Sequence, residues 1–96
     1  MAAEQHDQPL QGKVALVTGG ARRIGAAIVR GLHAAGARTV IHYHGSREDA
    51  ESLAAELEQA RPETTALART DLLDPAARVE LVEIAIRKFG GLDILV

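Results

Sequence analysis

The sequence has no cysteine and no tryptophan, and its 96 residues include one tyrosine, one phenylalanine and three prolines. Without cysteine there is no disulfide framework and no thiolate chemistry. With so few aromatics the interior must be built from Val, Ile, Leu and Ala. There is no excess of positive charge, the formal net charge being −2. Together with the missing stacking side chains, this argues against nucleic acid as a partner. No apolar run approaches the roughly 18 to 20 residues that a membrane span requires, so no membrane partner is expected. The opening MAAEQHDQPLQG lacks the basic start and apolar stretch of a signal peptide. The expected location is the cytoplasm, with residues 1–11 a flexible tail. What remains, 47% hydrophobic and 25% charged, suits one small globular domain.

The order of patterns along that domain is regular. Val14 to Val17 is an unbroken apolar run, as expected of a strand buried on both faces, and it stops at Thr18-Gly19-Gly20. A helical period follows, with Ile24, Ala27, Ile28, Leu32 and Ala35 on one face and Gly36 as its stop. Thr39 to Ile41 predict a second buried strand, running out through His42-Tyr43-His44. Ser46, with Asp49 three residues on, reads as a capping-box variant opening a helix whose stripe is Ala50, Leu53, Ala54 and Leu57. Pro62 interrupts the chain, and residues 65–70 (TALART) alternate as an edge strand would. Asp74 before Pro75 is an N-cap followed by a favoured first helical residue. Val79, Val82, Ile86 and Phe89 line that third helix, Gly90-Gly91 end it, and residues 92–96 (LDILV) form a fourth strand.

Such β-α-β-α-β-α-β alternation implies a parallel sheet with right-handed crossovers. The inferred strand order is 3-2-1-4, with the first two helices on one face and the third on the other. The chain reverses between strands 1 and 4, where open α/β sheets bind ligands. With one helix on the second face and an apolar strand at the last residue, the sequence reads as the first half of a larger domain, truncated after strand 4. The competing reading is a small four-stranded domain, alone or completed by an oligomeric partner.

Residues 18–25, TGGARRIG, carry the chemistry. A strand entering a helix through small residues leaves backbone N–H groups and the positive end of the helix dipole facing the turn, which makes an anion site. Gly19 allows the turn, Gly20 and Ala21 keep it low, and Gly25 lets the helix pack closely. Arg22 and Arg23 oppose the dipole and so call for an anion nearby. An NAD-preferring site places Asp or Glu at the end of the second strand to hold the ribose 2′-OH. Here His42, Tyr43, His44, Gly45 and Ser46 stand there, and no carboxylate appears before Glu48. Arg22 and Arg47 would reach the same corner, so the expected cofactor is NADP(H). His42 and His44 lack a third partner for a metal and are expected at a polar strand end facing water, so no metal site is expected. His33 is expected on the surface. Asp71 suits either an adenine contact or a turn.

Taken together, TGGARRIG, HYHGS, ARPETTALARTDL and GGLDILV resemble the N-terminal half of the short-chain dehydrogenases/reductases, most closely their pteridine-reductase branch, from about Gly12 onward. The resemblance implies a Rossmann-type sheet with helices on both faces, residues 12–96 being the N-terminal half of the dinucleotide-binding domain. It implies that Gly19, Arg22, Arg23 and Ile24 line the NADPH phosphates, Arg23 also lying near the pterin. It implies that His42, Tyr43, His44 and Ser46 surround the ribose and 2′-phosphate, and that Asp71 and Leu72 hold the adenine. Gly45 departs from the arginine the branch often has there. The family's asparagine turn, its serine or aspartate and its Tyr-x-x-x-Lys pair are not found in this sequence. Tyr43 is followed four residues on by Arg47, so no catalytic residue is expected here. The implied parent is a homotetrameric NADPH-dependent pteridine reductase acting on a dihydropterin or dihydrofolate. A 3-oxoacyl-thioester or carbonyl reductase is the alternative within the family, and a non-catalytic nucleotide-binding fragment the alternative outside it.

Overall fold

The structure is a computed structural model and describes residues 8–96. Four strands and three helices alternate: β1 (Val14–Val17), α1 (Arg23–Ala34), β2 (Arg38–Tyr43), α2 (Arg47–Ala60), β3 (Thr65–Arg69), α3 (Pro75–Phe89) and β4 (Ile94–Leu95). The strands form one parallel sheet in the order β3-β2-β1-β4, as the alternation predicts. Val14 pairs with Arg38, Val17 with Ile41, and Ala15 with Ile94.

Side chains alternate across the sheet with the strand period of two, and each face has its own core. Val17, Ile41 and Tyr43 pack with Ala26 and Val29 of α1 and with Ala50, Leu53 and Leu57 of α2. Val14, Leu16, Val40 and Ala68 pack on the other face with Leu81 and Ala85 of α3. The first two helices therefore share one face and the third covers the opposite one. β3 is an edge strand, mostly half-buried.

Two helical stripes differ from the expected ones. In α1 the buried residues are Ala26, Val29 and His33, with Ile28 and Leu32 partly buried, whereas Ile24 is 78% exposed. Ile24 lies in the first turn, where the helix starts beyond the C-terminal end of β1. In α3 the buried residues are Ala77, Leu81 and Ala85, whereas Val79, Val82 and Ile86 are exposed. In both helices alanines share the contact with larger residues, Ala26 beside Val29 in α1 and Ala77 and Ala85 beside Leu81 in α3, and an alanine lets the helix axis approach the sheet where a larger side chain would hold it away.

His33, expected at the surface, is buried. The Thr64 hydroxyl donates to the Arg61 carbonyl (2.6 Å) and so accepts from His33 Nε2–H (2.7 Å). Arg61 donates to the carbonyls of His33 and Ala37, at 2.6 and 2.9 Å. The first of these bonds satisfies one of the carbonyls that the C-terminus of α1 leaves unpaired. Burial, followed by the Arg61 charge, lowers the His33 pKa, and Glu58 opposes the shift. Glu58 accepts from the N–H groups of Glu63, Thr64 and Thr65 and from the Thr65 hydroxyl. Its carboxyl is held below the ordinary range, chiefly by the Thr65 hydroxyl.

Of the expected tail, residues 1–7 lie outside the described residues. Residues 8–11 form a turn against the end of α1, with Leu10 N–H donating to the Ala35 carbonyl at 2.8 Å. No helix among the described residues is long and apolar enough to cross a membrane.

Candidate functional site

The C-terminal ends of β1 and β2 and the N-termini of α1 and α2 meet at one edge of the sheet. Gly19 makes the turn out of β1 with φ of +62°, a conformation open to glycine. A Cβ on Gly25 would meet the Gly19 carbonyl, so the first turn of α1 lies directly on the backbone of the preceding turn. The close approach expected of Gly25 is thus to the turn, a little short of the strand.

The three helix N-termini are finished differently. The Asp74 side chain caps α3 by accepting from Ala76 N–H at 3.0 Å. α2 carries Glu48 and Asp49 in its first turn. Its expected capping box does not form: Ser46 is the N-cap residue but its side chain makes no capping bond. α1 begins with Arg22 as N-cap, an extended residue with no acceptor to offer, and has no acidic residue in its first turn. Its leading N–H groups have no partner within the helix, and its positive end meets no anion of its own. Arg23, the next residue, has φ of +54°. A side chain in this left-handed region costs about 1–2 kcal/mol, and the position is the one where a glycine would be at ease.

Arg22 reaches across to the start of α2, where its Nε lies 3.4 Å from Asp49 Oδ2, both side chains more than half exposed. Arg22 borders two adjoining depressions. One, of about 200 Å³, is lined by Gly19, Ala21, Arg22 and residues 42–46. The other, of about 370 Å³, is lined by Arg22, Gly45, Ser46, Arg47, Glu48 and Asp49. The structure therefore brings Gly19, Arg22, His42, Tyr43, His44 and Ser46 to one place. Arg23 and Ile24 are exposed on the first turn of α1, outside the lining of either depression.

Within that set the side chains divide. His44 is exposed and Ser46 half-buried. Tyr43 is buried in the α1–α2 core, 7% exposed. His42 is not at a strand end facing water; it is 4% exposed. Gly19 N–H donates to His42 Nδ1 at 3.0 Å, and His42 Nε2 lies 3.0 Å from the Thr70 carbonyl. The sequence signal for this was available, since His42 continues the buried run from Thr39 to Tyr43. Asp71 makes a turn: its Oδ1 accepts from Leu73 N–H at 2.9 Å and its carbonyl accepts from Asp74 N–H at 3.0 Å. Leu72 is half-buried against the α3-side core. Asp49, the partner of Arg22, entered the sequence reading only as a capping residue.

A larger depression, of about 680 Å³, lies at the opposite end of the sheet, lined by Arg38, Glu58, Thr65, Arg87, Lys88 and Phe89 among others. Glu58 is committed there to the residue 63–65 backbone, and the Arg38 guanidinium lies over the Phe89 ring, 5.9 Å from its centroid. These contacts hold the fold, and the depression lies away from the glycine turn that follows β1.

The sequence matches the short chain dehydrogenase family over residues 13–96. It is 42% identical over 86 residues to the short chain dehydrogenase mdpC of Emericella nidulans. It is 43% identical over 86 residues to versicolorin reductase stcU of the same organism and to versicolorin reductase 1 of Aspergillus parasiticus. Each alignment covers 90% of this chain and 32% of the relative, so the chain spans about a third of the length of the curated relatives it matches. The parallel 3-2-1-4 sheet, the glycine-bearing turn into α1 and the match over residues 13–96 agree: the chain belongs to the short chain dehydrogenase family.

Proposed function

We propose that the intact protein is an NADPH-dependent reductase and that this chain holds the adenosine and pyrophosphate portion of the cofactor. One observation carries the reading. The uncapped N-terminus of α1 is flanked by Arg22 and Arg23, and residues 42–46 at the end of β2 include no carboxylate. The N–H groups and dipole of α1 suit a pyrophosphate, and a second anion, the 2′-phosphate, suits Arg22 at the corner shared with Ser46 and Arg47. A carboxylate that would bind the 2′-OH of NADH in preference is not present among those five residues. Ser46 and the backbone at Gly45 take part in place of the arginine that the resemblance leads one to expect at 45. Bound NADPH supplies the hydride; the chain's own groups bind and orient the cofactor, and no proton-transferring residue is assigned to it.

The test is a pair of dissociation constants on the intact protein. NADPH should bind at least about tenfold more tightly than NADH, the equivalent of one charge-assisted contact. Equal or tighter binding of NADH would overturn the reading.

For the substrate, the resemblance of TGGARRIG and HYHGS to the pteridine-reductase branch favours a pterin, with Arg23 beside it. The relatives named versicolorin reductase favour the second reading, a carbonyl reductase. Turnover of NADPH with dihydrobiopterin or dihydrofolate supports the first. Turnover with versicolorin or simple ketones, and none with pterins, supports the second.

A further inference from the structure

His42 lies at the end of β2 behind the turn, buried at the edge of the smaller depression, with both ring nitrogens engaged. Gly19 N–H points at Nδ1, so Nδ1 is the unprotonated nitrogen, and the proton on Nε2 is donated to the Thr70 carbonyl. The ring is therefore held as one neutral tautomer by two partners from different segments. The main chain of the same residue does related work: the His42 carbonyl accepts from Gly20 N–H at 2.9 Å. Two successive N–H groups of the glycine turn are thus turned inward onto one residue of β2. The anion-facing donors are then the leading N–H groups of α1, which the helix leaves without partners. Through Nε2 the same ring ties the turn to the end of β3, immediately before Asp71 and Leu72.

We propose that His42 is a positioning residue for the dinucleotide site. Its neutral imidazole fixes Gly19 in the left-handed conformation that aims the start of α1 at the pyrophosphate, and it holds the β3 end in register with that turn. The proposal rests on the cofactor reading above and concerns a part of it that does not touch the ligand. A turn free to rotate at Gly19 would leave the α1 N–H groups less well aimed, and the loss would appear in cofactor affinity.

Three variants separate the roles of the two nitrogens. His42→Asn keeps an acceptor near the position of Nδ1 and loses the reach to Thr70. His42→Gln keeps a donor near the position of Nε2 and loses the acceptor for Gly19. His42→Leu removes both. The Kd for NADPH, measured on the intact protein, should rise by about tenfold in the Gln and Leu variants and by no more than about threefold in the Asn variant, the scale of one lost buried hydrogen bond. Equal affinity in all three, or equal loss in Asn and Leu, overturns the proposal, because a purely structural histidine would not be rescued by an acceptor alone.

A measurement on the unaltered protein stands if the variants fail to fold. With 15N-labelled histidine and glycine, a scalar coupling between the Gly19 amide nitrogen and an unprotonated His42 Nδ1 is expected. A protonated Nδ1, or rapid exchange of the Gly19 amide, overturns the proposal. If the unaltered protein binds neither NADPH nor NADH, the cofactor reading falls, while the labelled spectrum still decides whether His42 holds the turn.

Discussion

Arg23 opens α1 in the left-handed region of the backbone. A residue at φ of +54° is ordinarily glycine, and here it is a β-carbon-bearing cation at the positive end of a helix. Both features are unfavourable for folding alone. Backbone strain of this kind persists where the surroundings demand it and clusters at ligand sites. An anion bound at the start of α1 would account for the charge and give the strained residue a purpose. The variant Arg23→Gly separates the two effects. It should relieve about 1–2 kcal/mol of strain, less about 0.5–1 kcal/mol for the looser unfolded chain, leaving the protein as stable as before or slightly more so. Its Kd for NADPH should rise by about tenfold or more, for loss of a charge-assisted contact. Chemical denaturation and cofactor titration on the same samples check this. If stability falls along with affinity, Arg23 supports the fold and the strain argument is wrong.

At the scale of the elements, strands were easier to read than helical faces. β1 and β2 are buried on both sides, so an unbroken apolar run was signal enough. The order of elements gave the sheet topology because parallel neighbours require crossovers. The faces of α1 and α3 are harder to read because bulk does not imply burial: Ala26, Ala77 and Ala85 are buried beside Val29 and Leu81, whereas Ile24, Val79 and Ile86 are exposed. The partners of His33 and His42, Thr64 and the Gly19 amide, lie 31 and 23 residues away, so no local pattern identifies them, although the buried run of β2 marks His42 as buried. At the candidate site, the turn residues and the strand end were legible from spacing alone. What each of those side chains bonds to was not. β2 also contains an unsatisfied polar atom: Thr39 is fully buried and its hydroxyl has no hydrogen-bond partner among the described residues. Thr39→Val keeps the β-branched shape and removes the orphaned group. It should stabilise the protein by about 1 kcal/mol, seen as a higher urea midpoint with an unchanged slope. A lower midpoint would show that the hydroxyl has a partner in solution.

At the scale of the whole molecule, the two ends of the sheet do different work. The C-terminal edge gathers the glycine turn after β1, Arg22 and the β2 end. The opposite edge is a brace in which His33, Arg61, Thr64 and Glu58 join the ends of α1 and α2 to the start of β3. The brace contains two groups whose titration is linked to folding, and both weaken it in acid. The His33 pKa is lowered in the folded state, so its neutral form is favoured there. Its contribution is complete above the unfolded value near 6.5 and is lost as the pH falls from there through the lower, folded value. The Glu58 pKa is lowered as well, which favours its charged form. Its contribution is present above the unfolded value near 4.5 and is lost as the pH falls through the folded one. Stability should therefore decline in two stages on the acid side, the first beginning near pH 6.5 and the second below about 4.5. His33→Gln, whose amide can still donate to Thr64, should melt lower at pH 7.5 but lose the first stage. Glu58→Gln should keep the first stage and flatten the second, with the residue 63–65 turn weakened at every pH. Thermal melts followed by circular dichroism from about pH 2 to 8 measure both. A His33→Gln protein whose melting temperature falls between pH 7 and 5 as steeply as the parent's would place the acid sensitivity elsewhere in the molecule.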